Sequence, residues 1–153
     1  MARAGIRCDM VVFGGTGDLA MRKLLPALYY LHRDGHLHPD TRILALARAQ
    51  HSLESYGKLV RRHVSQHVAR GDFDTAQWER FAERLDYLSL DVSQRVAFPR
   101  LTKVLKPGTG RVRVFYLAPL PNLFAPTVQH LASVGLVDEH ARVVLEKPIG
   151  HDL

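Results

Sequence analysis

Read from the amino terminus, apolar and polar positions follow two alternating rhythms. Residues 10–13 (Met-Val-Val-Phe) form an apolar run too short for a helix, β-branched at its centre and closed by glycines, which predicts a buried strand. From Asp18 the rhythm lengthens: Leu19, Leu24, Leu25, Leu28, Tyr29 and Leu31 recur at helical spacing until Gly35 supplies a stop. Pro26 predicts a kink or division in that helix, because proline has no N–H to donate and its ring crowds the preceding turn. A second apolar run, 43–47, follows the turn signals Pro39 and Asp40 and predicts another strand. Stretches 53–68 and 75–85 set apolar stripes against charged faces, as two surface helices would, with Gly71 and Asp72 as the break. Residues 87–90 predict a third strand.

The remainder repeats the scheme. Ser93 predicts the cap of a helix running to about Leu105, although Pro99 argues against its continuity, and Pro107, Gly108 and Gly110 predict a loop. Residues 112–117 read as a strand, 121–134 as a helix ending at Gly135, and 143–146 as a further strand. Parallel neighbours need a crossover between them, so this alternation predicts a doubly wound, Rossmann-like α/β fold, a parallel sheet with helices on both faces. At 153 residues the chain is expected to form one such domain, 1–153. Ligands in these sheets bind beyond the carboxyl ends of the strands, so Gly14 to Asp18, Arg48, Asp91, Ala118 to Pro121 and Lys147 are expected on one rim.

Composition narrows the partner. Lys plus Arg exceed Asp plus Glu by 21 to 15, a formal charge of +6, which suits a nucleotide, a sugar phosphate or a nucleic acid. A basic nucleic-acid-binding module is the alternative of a different class; against it, the basic residues are interleaved with acids and no recognition-helix motif appears. The single cysteine, Cys8, allows no internal disulfide, so a reducing, cytoplasmic setting is expected. No run of about 18 uncharged apolar residues predicts a membrane span, and the polar start predicts no secretion signal. Nine histidines carry no metal-ligand pattern; His63 and His67 stand one turn apart without the acid of an H-E-x-x-H motif and are expected on a solvated face. No G-x-S-x-G elbow points to a nucleophile.

Chemistry concentrates after the strands. Gly15, Gly17 and Ala20 fit the G-x-G-x-x-A dinucleotide fingerprint between a strand and a helix, where glycine lets a pyrophosphate approach main-chain N–H groups at the positive helix end. Thr16 adds a hydroxyl, and Asp18, a carboxylate beside phosphates, is expected to cap the helix. After the second strand, where NAD sites place an acid on the ribose 2′-hydroxyl, this chain has Arg48 and no acid between Ile43 and Glu54, which points to the 2′-phosphate of NADP. Glu146, Lys147 and Pro148 close the last strand; from spacing alone they read equally as a solvated pair or as a phosphate or hydroxyl contact.

Together, Gly14-Gly15-Thr16-Gly17-Asp18-Leu19-Ala20 with Arg22-Lys23-Leu24, Ala47-Arg48, Phe115-Tyr116-Leu117-Ala118 and Glu146-Lys147-Pro148-Ile149-Gly150 resemble the glucose-6-phosphate dehydrogenase family in order and spacing over essentially the whole chain. The resemblance implies that Gly14 to Ala20 receive the NADP pyrophosphate, Arg48 the 2′-phosphate, and Asp91 with Val92 the adenine side, while Tyr116 and Ala118 border the nicotinamide. It places Lys147 between cofactor and glucose 6-phosphate, Pro148 at the adjoining hinge, and Lys23 near the substrate.

Met21 stands where the family often has lysine, and Ala118-Pro119-Leu120-Pro121 departs from adjacent prolines. Family members, by the same resemblance, are homo-oligomers that continue into a larger α+β domain bearing a histidine general base in an R-I-D-H-Y-L-G-K type motif. That motif is absent from this sequence. The 153 residues are therefore expected to bind NADP, to lack a catalytic residue of their own and to turn over negligibly. An NADP-dependent reductase complete within one domain, using Tyr116 and Lys147, is the other enzymatic alternative.

Overall fold

A computed structural model of the chain describes residues 7–105, 111–117 and 121–145, without the side chains of 121–123. Five short apolar runs form the strands β1 (Cys8–Phe13), β2 (Arg42–Ala47), β3 (Leu85–Ser89), β4 (Val112–Leu117) and β5 (Ala141–Leu145). They make one sheet in the order β3-β2-β1-β4-β5, with every pairing parallel. The chain therefore winds outward from β1 to β3, crosses back and continues on the other side with β4. The reversal leaves a crevice at the carboxyl ends of β1 and β4.

Strand alternation explains why the central runs are apolar without interruption. Val12, Ile43, Ala45 and Leu85 pack on one face against Leu25 and Tyr29 of α1 (Leu25–Arg33), Tyr56 and Val60 of α2 (Leu53–His67), and Trp78 and Phe81 of α3 (Thr75–Ala82). Val11, Phe13, Leu44, Leu46, Phe115 and Leu117 face the opposite way, onto Phe98, onto Leu101 and Leu105 of α4 (Pro99–Leu105), and onto Leu131 of α5 (Pro121–Ser133). Neighbouring residues such as Val11 and Val12 thus serve two different cores, as a sheet covered on both faces requires. The edge strand β5 is more open, with Val143, Val144 and Leu145 at 40%, 40% and 50% exposure.

The helix stops expected at Gly35 and Gly135 are present, and two side chains cap helix starts. Ser52 and Asp74 accept from the main-chain N–H groups of Ser55 and Gln77 at the starts of α2 and α3. Gly35 and Gly135 close α1 and α5 with the paired bonds of a Schellman motif, Gly35 N–H to His32 O with His36 N–H to Leu31 O, and Gly135 N–H to Ala132 O with Leu136 N–H to Leu131 O.

Three expectations change. The helix beginning at Asp18 is π-helical over Ala20–Leu24 before it becomes α1, and Leu25 N–H donates to Ala20 O, five residues back. The wider turn gives Pro26 a fresh helix start, where a missing N–H costs nothing and its ring escapes the carbonyl four residues before it. Ser93 caps no helix: its N–H and hydroxyl both donate to Asp91 Oδ1. A 3₁₀ turn, Arg95–Ala97, follows, and α4 starts with Pro99 as its first residue. Asp18 likewise caps nothing, because it already lies within the first helical turn, where its exposed carboxylate pairs with Arg22 at 3.4 Å. The loop expected around Pro107, Gly108 and Gly110 lies outside the described residues.

At the amino-terminal rim the carboxylate of Asp9, 1% exposed on β1, accepts from Arg111 at 2.9 Å and from Arg42 at 3.3 Å. Arg42 begins β2 and Arg111 precedes β4, so one buried acid ties the central strand to both neighbours. Breaking such a pair leaves a charge uncompensated, which makes Asp9 a fixed structural element far from the crevice.

Candidate functional site

The carboxyl ends of β1 to β4 enclose a cavity of about 510 Å³, within the usual size range of a small-molecule or cofactor site. The β1 turn contributes Gly14, Thr16 and Gly17; the end of β2 contributes Ala47, Arg48 and Ala49; and the segment after β3 contributes Leu90, Asp91, Val92 and Ser93. Leu117 of β4 with Phe124 and Thr127 of α5 complete the wall.

Gly14 takes φ 75, a left-handed conformation that a side chain would strain. Gly15 is pressed onto β2: a Cβ there would stand 2.6 Å from Ala45 Cβ and 3.2 Å from Tyr56 Oη. The N–H groups of both glycines donate to Leu46 O at 2.9 Å. Their share in the site is therefore shape, not donation. The first helical bond is Met21 N–H to Gly17 O, so the amides ahead of it, among them those of Thr16, Asp18 and Leu19, belong to the open end of the helix, where partial positive charge gathers. A turn without side chains, ending in uncommitted donors, fits a phosphate.

Arg48 is exposed at the end of β2. Opposite it, Asp91 is held below the ordinary carboxylate range, first by the Ser93 hydroxyl, then by the Ser93 N–H, with the charge of Arg48 adding to both. A carboxyl lowered in this way contributes stability that is complete above its unfolded pKa and is lost as pH falls through the depressed folded value. An NMR titration is expected to place the Asp91 midpoint below that of a model peptide, and Ser93→Ala to move it upward. An unmoved midpoint in Ser93→Ala would remove the hydrogen bonds as the cause.

Of the residues singled out from the sequence, Gly14, Thr16, Gly17, Arg48, Asp91 and Val92 meet in this cavity. Gly15 lies behind the turn, Ala20 is buried in the core, and Asp18 and Lys23 are exposed and do not line the cavity. Tyr116 does not line the cavity: it pairs in register with Val12, on the sheet face opposite Phe115 and Leu117. Ala118, Lys147 and Pro148 lie outside the described residues. Sequence reading passed over Phe124 and Thr127, whose spacing of three on α5 puts both on one helical face, and Ser93, whose signal is the Asp-x-Ser turn. Among the described residues no group of three or more His, Cys, Asp or Glu is placed to hold a metal ion, and no helix is long and apolar enough to cross a membrane.

A parallel doubly wound sheet in the order β3-β2-β1-β4-β5, with a glycine turn from β1 into a helix at its switch point, defines a dinucleotide-binding domain of the Rossmann class. Residues 11–153 match the family model "Glucose-6-phosphate dehydrogenase, NAD binding domain", and the chain belongs to that family. Over 150 residues it is 47% identical to glucose-6-phosphate 1-dehydrogenase of Mycolicibacterium smegmatis, a match covering 95% of this chain and 30% of the relative. The enzyme of Rhizobium meliloti is 41% identical over 145 residues, with the same coverage. The crystal structure of glucose-6-phosphate 1-dehydrogenase from Mycobacterium avium superposes with a TM-score of 0.84 at 37% identity, covering 96% of this chain and 31% of that one. A glucose-6-phosphate dehydrogenase in complex with its substrate glucose 6-phosphate gives 0.81 at 30% identity, covering 99% and 33%. The chain thus spans about 30% of the length of these relatives.

Proposed function

We propose that this chain binds NADP and serves as the coenzyme-binding part of an enzyme that oxidises glucose 6-phosphate at C1. The observation that carries the reading is that one cavity gathers the bare glycine turn and Arg48, while no acid stands between Ile43 and Glu54 to hold an unphosphorylated ribose. In this reading the amides of the Thr16 to Leu19 turn receive the pyrophosphate, and Arg48 grips the 2′-phosphate through paired N–H donors. Asp91 and Val92 border the adenine. The apolar wall of Phe13, Leu46, Leu90, Leu117 and Phe124 excludes water beside them.

NADP supplies the hydride acceptor when bound; the residues of this chain contribute its placement and electrostatics. Asp91 is the one carboxylate among the described residues that line the cavity, and the Ser93 hydroxyl and N–H already engage its Oδ1 and hold its pKa down. On the family resemblance, the general base is assigned to the greater length that the relatives possess. Lys147, two residues past the end of β5 in sequence, together with Pro148 and Lys23, is assigned to the glucose 6-phosphate side on the family resemblance. The test is a calorimetric titration of the protein with NADP and with NAD. NADP is expected to bind at least about tenfold more tightly, the scale of one charge-assisted contact. Equal affinities would overturn the NADP reading.

A further inference from the structure

We propose that Tyr56 and Tyr87 are positioning residues for the dinucleotide, together fixing the glycine turn and the Arg48 loop relative to each other and aiming the Thr16 amide at the ligand. The inference rests on the reading of the cavity as an NADP site. Tyr56 is fully buried on the inner face of α2, and its hydroxyl donates to Gly15 O at 2.8 Å. Since Gly15 N–H is held by Leu46 O on β2, both main-chain polar groups of this residue are anchored, one to the sheet and one to the helix. In a planar trans peptide the carbonyl and the next N–H point in opposite directions. Turning Gly15 C=O toward α2 therefore turns Thr16 N–H away from it, and Thr16 lines the cavity. The same bond keeps a partly negative carbonyl oxygen from rotating toward the phosphates.

The second loop is held in the same fashion from β3. Tyr87 Oη donates to Ala49 O, and Ser89 Oγ donates to Arg48 O at 3.1 Å, so both carbonyls that flank the Arg48 bend have fixed partners. The two tyrosine rings stack at 4.7 Å with 29° between their planes, and His51 packs edge-on against both. A phenylalanine would fill either space equally well. What the hydroxyls add is a bond to a main-chain oxygen of each ligand-facing loop, joined through one stacked pair. Burial raises the pKa of both phenols, so the donors stay protonated throughout the working pH range.

The two tyrosines address different parts of the ligand, and this separates positioning from mere packing. The pyrophosphate is common to NADP and NAD, whereas Arg48 meets a group that only NADP has. Tyr56→Phe is therefore expected to weaken both dinucleotides about fivefold, with their ratio unchanged, the scale of one net hydrogen bond. Tyr87→Phe is expected to weaken NADP about fivefold and to leave NAD unchanged. Each is measured by titration of the protein with both ligands, beside a thermal melt. Should Tyr56→Phe melt below the assay temperature, Tyr87→Phe, which alters a partly exposed hydroxyl, decides alone. Variants that lower the melting temperature but bind like the wild type, or a Tyr87→Phe protein that shifts both ligands identically, overturn the inference while leaving the NADP reading standing. A wild-type protein that binds neither dinucleotide overturns both.

Discussion

Gly15→Ala is expected to lower stability by about 3 kcal/mol, the upper end of the cost of overpacking a core, and to abolish dinucleotide binding. The new methyl would stand 2.6 Å from Ala45 Cβ and 3.2 Å from Ala45 Cα, and neither atom can retreat without moving β2, which is paired on both sides, to β1 and to β3. The turn must move instead, which breaks the Gly14 and Gly15 bonds to Leu46 O and the Tyr56 bond to Gly15 O together. In a chain of this length such a loss corresponds to a fall of roughly 10 °C in melting temperature. Gly57→Ala is the control: it lies within α2, has nothing within 4 Å of an added Cβ, and is expected to gain about 0.5 kcal/mol from helix propensity. Thermal melts of both variants check the contrast, and equal melting temperatures would mean that the turn yields at no cost.

Arg48→Ala is expected to weaken NADP by about thirtyfold, equivalent to about 2 kcal/mol for a charge-assisted contact to a phosphate, and to change NAD by less than about twofold. The side chain is exposed and the fold does not lean on it, so the melting temperature is expected to stay within about 2 °C. Lowering the salt is expected to tighten NADP binding more in the wild-type protein than in Arg48→Ala, because an exposed cation acting on a phosphate is screened by ions. Parallel titrations with the two dinucleotides give the answer. A parallel loss of both would move Arg48 from the 2′-phosphate to a general electrostatic role.

The relation of Arg48 to Asp91 shows how the two ends of the site constrain each other. The positive charge helps to keep Asp91 ionised, while the Ser93 bonds hold that carboxylate against its own turn. Anion and cation thus stand on adjacent strand ends.

The amino-acid sequence by itself determined the elements and the rim. Strand runs stopped by glycine or turn residues, helical stripes closed by Gly35 and Gly135, and a glycine fingerprint between strand and helix are short-range patterns, readable because backbone sterics and side-chain periodicity act over a few residues. Ligand contacts in such sheets follow strand ends, so Gly14, Thr16, Gly17, Arg48 and Asp91 could be named before their positions were known. Only the tertiary structure decided which strands are neighbours, that Tyr116 faces away from the cavity, that Phe124 and Thr127 form part of its wall, and that Tyr56 and Tyr87 secure two loops. These facts depend on pairs separated by about thirty residues or more in the chain, such as Tyr56 with Gly15, whose meeting is set by sheet order and packing and leaves no local signature. The same holds for Pro26: its effect was legible, but the π-helical turn that accommodates it follows from how Ala20, Met21 and Leu25 pack into the core.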